Sequence, residues 1–473
     1  METLRKMLGP KGFLTEPDDM AGFLDDPLGA RCPPPRAIIR PATTAQVQAA
    51  MRWCHREDLA VVPQVGLTGL TQAAVPADLE NAVVLSLGRM NRLRALDTDG
   101  ATMTVDAGMV LANLRARAEE AGLYFPLFHG AVGSSQIGGN LSTNAGGNNA
   151  LCYGTAREQV LGLEVVLPDG TLWDGLKALR KNTAGYDLKQ LFIGAEGSLG
   201  IITGAVVKLR PRPDARASAF AAVASPADAL ALLRALSRLL GGNISAFELM
   251  SRRALDVALS SGALREPLKT PAPWAVLIEV EAASCANDLD TALETGLADA
   301  LGDGLIEDAV LAQNESHRAA FWNLREAIAT ALIRDESCLK SDTAVPVARV
   351  PDFLASASRA VGTYMPGIRP VPFGHLGDGN VHFNLLRPEG MEHAAFRRHW
   401  TRLTEIVAEE SIRLGGTLSA EHGIGRLKRP EFNEMVDPVT IMLMRRIKDA
   451  IDPAGRMNPG VLFARPAIGS PQD

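Results

Sequence analysis

Several features are missing from the sequence, and each absence excludes a class of protein. No stretch approaches the ~20 consecutive apolar residues that a membrane-spanning helix needs. Lysine and arginine form no cluster and the net charge is −6, which argues against a nucleic-acid-binding protein. Residues 1–19 carry charges but no apolar core of signal-peptide length, so we expect a cytoplasmic protein.

Cysteine is scarce, and its spacing excludes one kind of metal site. The cysteines are Cys32, Cys54, Cys152, Cys285 and Cys338. An odd number of scattered cysteines suits a reducing compartment, and the lack of CxxC spacing excludes a zinc site built from thiolates. Any metal would therefore be bound by histidine and carboxylate.

The length of the chain predicts more than one domain. Its 473 residues exceed what one hydrophobic core usually supports. In the first half, where strand and helix patterns alternate, Thr44 is the predicted N-cap of a long helix. The predicted apolar face of this helix consists of Val47, Met51 and Cys54. Residues 129–150, dense in Gly, Ser, Thr and Asn, are predicted to contain neither helix nor strand.

A proline-rich segment at 210–220 is the predicted domain boundary. Beyond it the composition becomes rich in alanine and leucine. In this second half a strand is predicted at 274–281, and helices are predicted near 226–240, 314–334, 392–414 and 438–450.

Glycine-rich loops are frequent in the first half. Gly66 and Gly69 lie on either side of Thr68 just after a strand, and such loops expose backbone N–H groups that can bind a pyrophosphate. Further loops at 138–147 and 194–203 would let the backbone approach a large flat ligand. None has the GxGxxG spacing, so a Rossmann dinucleotide site is not expected.

Two of the eight histidines lie on either side of a Gly-Asp-Gly turn in FGHLGDGNVHFN. His375 and His382 are seven residues apart and could not share a face of one uninterrupted strand, but the turn can bring them together. Asn384 is predicted to share a strand face with His382. Later, Glu421 and His422 precede a Gly-x-Gly loop. Two histidines and a carboxylate are typical of a catalytic divalent metal site, commonly zinc, although iron and manganese accept the same ligands.

A predicted helix of the second half carries an arginine within its apolar stripe. Phe321, Ile328 and Leu332 recur at helical spacing, and Arg325 falls inside that stripe. Arginine is seldom buried without an anion. Three roles are open for Arg325. It could bind a substrate carboxylate, it could form a structural ion pair, for example with Asp342, or it could extend its guanidinium to the edge of the core.

The order of the glycine-rich motifs resembles the FAD domain of the vanillyl-alcohol-oxidase type of flavoprotein. The similarity is nearly continuous from about 33 to 213, through PQVGLTGLTQAAVP, GSSQIGGNLSTNAGG, YGTAREQVLGLEVVLPDG and NTAGYDLKQLFIGAEGSLGIIT. The resemblance implies that the first loop binds the pyrophosphate of FAD. Some relatives attach FAD covalently through a histidine in that loop, but this loop has none, so we expect non-covalent FAD. The implied cofactor-binding residues are Gly66, Thr68, Gly69, Leu70, Gly139, Asn144, Gly146, Glu196, Gly200, Ile202 and Asn458.

From about 214 to 463 the chain resembles the C-terminal domain of FAD-linked D-2-hydroxyacid dehydrogenases. The motifs are GHLGDGNVH, EHGIG and the terminal DPAGRMNPG. In D-2-hydroxyglutarate enzymes of animal type, threonine follows four residues after the arginine, whereas Ala329 stands here. The resemblance implies metal binding by His375, His382 and Glu421, a catalytic base at His422, and substrate binding by Arg325, Lys340 and Asn384.

The prediction is therefore an α+β flavoprotein with two domains. It would oxidise a D-2-hydroxyacid, best D-2-hydroxyglutarate, to the 2-oxoacid by hydride transfer to FAD, assisted by a divalent metal, expected to be zinc. D-lactate, D-malate and glycolate are alternative substrates, and an electron-transfer flavoprotein or a quinone would accept the electrons. The predicted division is an N-terminal segment 1–32, an FAD-binding domain 33–213, a substrate- and metal-binding domain 214–465 and a tail 466–473.

Three questions remain open at this point. The chain could be a monomer or a homodimer. A metal-dependent hydrolase with a nucleotide-binding half is one rival class of function. A flavin-binding subunit without catalysis is the other, although the presence of His375, His382, Glu421 and His422 argues against it.

Overall fold

The computed structural model describes residues 1–29, 32–77, 79, 81–282 and 288–464. The backbone packs as two compact units. Unit 1 comprises Met1–Gly147, Gly154–Pro211 and the chain from Glu421 onward, and unit 2 comprises Asn148–Tyr153 and Arg212–Ala420. The crossing at Pro211 lies in the proline-rich segment.

Unit 1 contains two main sheets. The first has four strands, with parallel pairing among the last three, in the order Phe13–Leu14, Ala37–Ile39, Ala82–Ser86, Ala60–Gln64. The second is antiparallel throughout and has five strands, in the order Leu93–Asp97, Thr102–Asp106, Ile201–Lys208, Val160–Val166, Leu172–Gly175. A short ladder pairs Leu123–Tyr124 with Arg210–Pro211.

The helices of unit 1 are mostly short. The α-helices are Glu2–Leu8, Pro17–Met20, Thr44–Arg56, Leu111–Glu120, Ile137–Ser142, Lys189–Phe192, Arg429–Met435 and Pro438–Ile451, and the 3₁₀ turns are Ala21–Phe23 and Ala156–Gln159. The helix Thr44–Arg56 buries Val47, Met51 and Cys54, which confirms the predicted apolar face. Its N-cap is Thr43, whose side chain accepts the N–H of Gln46, so the predicted cap at Thr44 was wrong by one residue.

The prediction that 129–150 contains no helix was wrong. A six-residue helix, Ile137–Ser142, lies there. Its glycines permit close packing, since a Cβ on Gly138 would lie 2.8 Å from the Cβ of Ala107 and one on Gly139 would lie 2.7 Å from a methyl of Val65. Tertiary contact therefore overrides the poor helix propensity of glycine.

Unit 2 is built on one antiparallel sheet. Its strands follow the order Asp308–Leu311, Ala215–Val223, Trp274–Ala282, Ile244–Ser251, Arg369–His375, Asn380–Leu386, Cys338–Leu339, and Thr343–Ala344 also pairs with Asn380–Leu386. The α-helices are Ala150–Tyr153, Pro226–Leu240, Arg252–Leu259, Leu289–Gly302, Glu315–Arg334, Val350–Tyr364, His393–Arg397 and Trp400–Arg413, and the 3₁₀ turns are Gly241–Asn243 and Val347–Arg349. The single helix predicted near 392–414 is thus two helices.

The sheet of unit 2 has an apolar core on each face. On one face the helix Glu315–Arg334 buries Phe321, Ile328 and Leu332 against Phe220 and other strand residues. Alternation along the strands places charged residues on this same face, which is where the site residues of unit 2 lie.

Two further expectations can be compared with the structure. Within the part of the chain that the structure describes, Cys32, Cys54, Cys152 and Cys338 form no disulfide, while Cys285 lies outside it. Among the described helices, none has the length and apolar character that crossing a membrane requires.

The chain from Glu421 packs in unit 1, although the sequence analysis placed it with the C-terminal domain. The N–H of Asn458 donates to the carbonyl of Val61 at 2.8 Å, and that of Arg426 donates to the carbonyl of Thr71 at 2.9 Å. These backbone hydrogen bonds attach the C-terminal segment to the strand Ala60–Gln64 and to the loop that follows it.

Candidate functional site

The first glycine-rich loop of unit 1 packs tightly against a second one. A Cβ on Gly66 would lie 2.5 Å from the carbonyl oxygen of Ser134, and one on Gly139 would clash with Val65. Only glycine fits at these two positions. The neighbours Thr68, Gly69 and Leu70 are at least partly exposed, as residues of a ligand-binding loop should be.

Three of the predicted cofactor residues adopt left-handed backbone conformations. The φ angles are 51° for Asn144, 50° for Glu196 and 46° for Asn458. Positive φ is uncommon outside glycine, and strained residues concentrate at functional sites. The Asn144 side chain fixes its own loop, since its Oδ1 accepts from the hydroxyl of Thr155 at 2.9 Å and from the N–H of Arg157 at 3.0 Å.

Glu196 holds the loop that follows Glu421 and His422. Its two carboxylate oxygens accept the N–H groups of Ile424 and Gly425, each at 2.8 Å, and the residue is 5% exposed. Burial raises the pKa of Glu196 above its ordinary value, and the two backbone hydrogen bonds, together with the smaller effect of the charges of Lys428 and Arg426, offset this only in part. The carboxylate therefore orients the EHGIG loop, a role that the resemblance did not suggest.

Asn458 joins the same loops from the C-terminal side. Its Nδ2 donates to the carbonyls of Ala73 at 3.0 Å and Glu196 at 2.8 Å, and its Oδ1 accepts from Arg426 at 3.2 Å. The amide thus fixes the position of the loops around it.

The remaining cofactor residues of unit 1 differ in what they contact. The side chain of Ile202 packs in the hydrophobic core. Gly200 permits close strand packing, since a Cβ there would lie 2.9 Å from Val165. Gly146 lies near Glu421, whose Oε2 is 3.7 Å from the place of a Cβ on that glycine. The predicted cofactor-binding residues thus include residues of the loops themselves and residues that only pack beneath those loops.

In unit 2 the two histidines lie together as predicted. The strands Arg369–His375 and Asn380–Leu386 form a hairpin in which Phe373 pairs with His382. His375 lies two residues beyond Phe373 and therefore faces the same side, and the two imidazole rings are 5.9 Å apart between centroids.

A buried ionic cluster surrounds His375. Glu248 is 1% exposed and Arg325 is 4% exposed. His375 Nδ1 lies 2.5 Å from Glu248 Oε1, the Nε of Arg325 donates to Glu248 Oε2 at 2.7 Å, and Arg325 Nη2 lies 3.3 Å from His375 Nε2. Burial alone would raise the pKa of Glu248, but its electrostatic interactions and hydrogen bonds with His375 and Arg325 outweigh the effect of burial and lower the pKa to about 2.

The sequence analysis missed Glu248 and named the wrong ion-pair partner for Arg325. Asp342, offered as that partner, accepts instead from Asn380 Nδ2 at 3.0 Å and from the N–H of Ala420 at 3.1 Å. A signal for Glu248 was present, since it is an isolated carboxylate in the apolar strand sequence ISAFELMS. A buried arginine requires such an anion nearby.

The other predicted residues of unit 2 lie close to this hairpin. Asp342 Oδ1 is 4.0 Å from His382 Nδ1. Asn384 accepts the N–H of Ser341 through Oδ1 at 2.9 Å. Lys340 is half-buried. Of the predicted metal ligands, His375 and His382 belong to unit 2, whereas Glu421 belongs to unit 1 together with the predicted base His422.

Comparisons with known proteins agree with the fold. A family model described as FAD binding domain matches residues 35–175, and one described as FAD linked oxidases, C-terminal domain, matches residues 212–462. A p-cresol methylhydroxylase structure with bound substrate superimposes with a TM-score of 0.76 at 17% identity, covering 98% of this chain and 96% of that one. An alkyldihydroxyacetonephosphate synthase gives 0.72 at 17% identity, covering 97% and 84%. The predicted two-domain α+β flavoprotein fold is confirmed.

Curated relatives extend over almost the whole chain. A protein of Stutzerimonas stutzeri named D-2-hydroxyglutarate dehydrogenase is 36% identical over 464 residues, which cover 98% of each chain. The Bos taurus protein named D-2-hydroxyglutarate dehydrogenase, mitochondrial, is 36% identical over 450 residues, covering 95% of this chain and 81% of the relative. Together with the two family models, these relatives show that the chain belongs to the FAD-linked oxidase family and is an FAD-dependent oxidoreductase.

Proposed function

We propose that the protein oxidises D-2-hydroxyglutarate to 2-oxoglutarate, with FAD as the hydride acceptor. The observation that carries this proposal is the buried Arg325 beside His375 and His382 in unit 2, in a chain whose full-length relatives bear the name of that activity. D-lactate, D-malate and glycolate are the competing substrates, since Ala329 lacks the hydroxyl found in the animal enzymes.

Unit 1 suits non-covalent FAD. The segments at Gly66 and Gly139 pack so closely against their neighbours that neither position has room for a side chain. Glycine-rich loops of this kind can present backbone N–H groups to a diphosphate. The first glycine-rich loop, around Gly66, contains no histidine that could attach FAD covalently. Acid precipitation is expected to release all the flavin into the supernatant, and yellow colour in the denatured pellet would contradict this.

The proposed divalent metal, zinc in the first instance, would be held by His375, His382 and Glu421. Imidazole and carboxylate donors suit zinc, and Asp342 beside His382 adds negative charge to the donor set. When bound, the metal supplies positive charge that polarises the substrate hydroxyl, and FAD supplies the hydride acceptor.

The residues of the chain would then bind and deprotonate the substrate. Arg325 and Lys340 would bind carboxylate groups, with Arg325 offering the planar two-pronged geometry that a carboxylate prefers. Asn384 would donate its amide to a substrate oxygen. His422 would take the proton of the hydroxyl as the hydride leaves the same carbon.

The electron acceptor in this proposal is another carrier, an electron-transfer flavoprotein or a quinone. The support is the word dehydrogenase in the names of the relatives. Rapid peroxide production in air, matching turnover with an artificial dye, would contradict it.

The direct test is anaerobic reduction of the bound flavin. D-2-hydroxyglutarate is expected to bleach the flavin absorption band, and L-2-hydroxyglutarate is not. A colourless protein that hydrolyses a substrate would favour the metal-dependent hydrolase. A yellow protein that none of the D- or L-2-hydroxyacids reduces would favour the non-catalytic subunit.

A further inference from the structure

Glu248 lies where it can organise two predicted site residues at once. It is in the middle of the strand Ile244–Ser251 and directly opposite His375 in the neighbouring antiparallel strand. One carboxylate oxygen contacts His375 Nδ1 and the other contacts Arg325 Nε, at 2.5 and 2.7 Å. The two oxygens therefore have different partners.

We infer that Glu248 is a positioning residue of the substrate site, which fixes both the tautomer of His375 and the orientation of the Arg325 guanidinium. The inference rests on the proposed function, in which His375 binds a metal and Arg325 binds the substrate carboxylate. It adds a residue that neither the motifs nor the resemblance indicated.

The tautomer follows from the chemistry of the carboxylate. An ionised carboxylate only accepts hydrogen bonds, so the Nδ1 of His375 must carry a proton to contact it. A neutral imidazole with its proton on Nδ1 has its lone pair on Nε2, and only the nitrogen with the lone pair can bind a metal. Glu248 thereby selects which ring nitrogen faces the site.

The orientation of Arg325 follows from the second contact. Because the Nε of Arg325 donates to Glu248, this edge of the guanidinium is held in place, and Nη2 on the same edge lies 3.3 Å from His375 Nε2. The arginine head and the ligating nitrogen of His375 thus lie side by side. A group that can bind a carboxylate therefore lies next to a proposed metal ligand.

Unit 2 contains a matched control on the same helix. Arg318, seven residues or about two turns before Arg325, donates to the buried Glu279 at 3.0 Å. Glu279 Oε2 also accepts from Trp322 at 2.7 Å and from Ser218 at 3.1 Å. This cluster is also an Arg–Glu pair with a buried glutamate, although Arg318 itself is only half-buried, and its partners are not predicted site residues.

The experiment compares Glu248→Gln with Glu279→Gln, both purified with FAD. Glutamine keeps the shape but replaces one acceptor oxygen by an NH₂ donor, so it cannot accept from both His375 and Arg325. Stripped Glu248→Gln protein titrated with Zn²⁺ alone is expected to bind it about 10- to 100-fold more weakly, the usual loss for such a partner. Its KM for D-2-hydroxyglutarate should rise as well. Glu279→Gln should lose stability and keep its zinc affinity.

Wild-type tautomers give a second measurement in case Glu248→Gln does not fold. Selective ¹⁵N-histidine labelling yields signals from only eight histidines, and His375→Gln identifies the signal of His375. The inference requires a proton on Nδ1. A proton on Nε2 in the zinc-free protein, or equal zinc affinity of wild type and Glu248→Gln, would overturn it.

The same experiment separates failure of the inference from failure of the proposed function. Wild type that binds Zn²⁺ and loses affinity in Glu248→Gln, yet is reduced by no 2-hydroxyacid, would sustain the positioning role and overturn the proposed function. Wild type that oxidises D-2-hydroxyglutarate but binds no Zn²⁺ would overturn the inference and the proposed zinc site, but not the proposed oxidation.

Discussion

Each unit contains a buried glutamate near a predicted site, and the two carboxylates behave in opposite ways. Glu196 of unit 1 accepts two backbone N–H groups, and burial raises its pKa. Glu248 of unit 2 accepts from an imidazole and a guanidinium, and its pKa is lowered to about 2 although burial opposes this.

The difference shows how far each kind of hydrogen-bond partner compensates a buried carboxylate for the hydration it has lost. Backbone amides are dipoles, so they recover only part of the hydration that an ionised carboxylate loses. Cationic side chains recover more, because they add charge attraction to the hydrogen bonds. Glu196 therefore orients a loop at a cost in stability, whereas Glu248 both orients side chains and keeps its charge.

The largest effect should come from removing the cation beside Glu248. Arg325→Met leaves a buried carboxylate without its guanidinium, which typically costs about 3–5 kcal/mol. Chemical denaturation should show this loss, and oxidation of D-2-hydroxyglutarate should disappear. Arg318→Met is the control, since Glu279 retains Trp322 and Ser218. Equal activity of the Arg325 and Arg318 variants would contradict the assignment of Arg325.

The second-largest effect should come from changing His422, which lies next to the loop that Glu196 holds. His422→Ala leaves the backbone contacts of Ile424 and Gly425 with Glu196 in place. It should retain FAD and stability but lose at least ~100-fold in kcat, the lower range for a missing general base. Near-normal turnover would exclude His422 as the base.

Glu196→Gln should be milder than Arg325→Met. One of the two N–H groups, of Ile424 or Gly425, would face the new NH₂ group, and an unsatisfied buried donor costs about 1–3 kcal/mol. Turnover should fall because the loop carrying His422 is less well held. If Glu196→Gln lost as much stability as Arg325→Met, backbone N–H groups and cationic side chains would not differ in how well they stabilise a buried carboxylate.

Lys340→Met should change substrate choice more than stability. Lys340 would bind the second carboxylate of D-2-hydroxyglutarate, which D-lactate lacks. We expect kcat/KM for the diacid to fall roughly tenfold, the equivalent of one modest charge-assisted contact. If D-lactate is slowed as much as the diacid, Lys340 does not bind the second carboxylate.

The smallest effect is a difference in pH dependence. A depressed pKa stabilises the protein at every pH above the ordinary value near 4.5 and loses this only as the pH falls toward about 2. A raised pKa does the reverse, because the folded state takes up a proton first as the pH falls. Wild type should therefore lose stability relative to Glu248→Gln as the pH falls from about 4.5 toward 2. Wild type should instead gain stability relative to Glu196→Gln as the pH falls through the raised pKa of Glu196, and chemical denaturation at several pH values measures both differences.

The parts of the site that sequence could predict depend on local pattern. Helical spacing was enough to predict that Arg325 is buried, and strand alternation with a Gly-Asp-Gly turn was enough to bring His375 and His382 together. Each of these follows from residues close together in the chain.

What the sequence could not predict depends on pairing between distant segments. Glu248 meets His375, 127 residues later, only because their two strands are neighbours in the sheet. The return of the chain from Glu421 to unit 1 depends on contacts such as that of Asn458 with Glu196, 262 residues earlier. Local spacing contains no information on either contact.

The most direct test of the proposed activity is an anaerobic single turnover of the purified yellow enzyme with excess D-2-hydroxyglutarate. The account predicts one equivalent of 2-oxoglutarate for each flavin reduced, and a higher rate constant of flavin reduction with D-2-hydroxyglutarate than with D-lactate at subsaturating concentrations. Flavin that stays oxidised with D-2-hydroxyglutarate, or that D-lactate reduces faster, would contradict it.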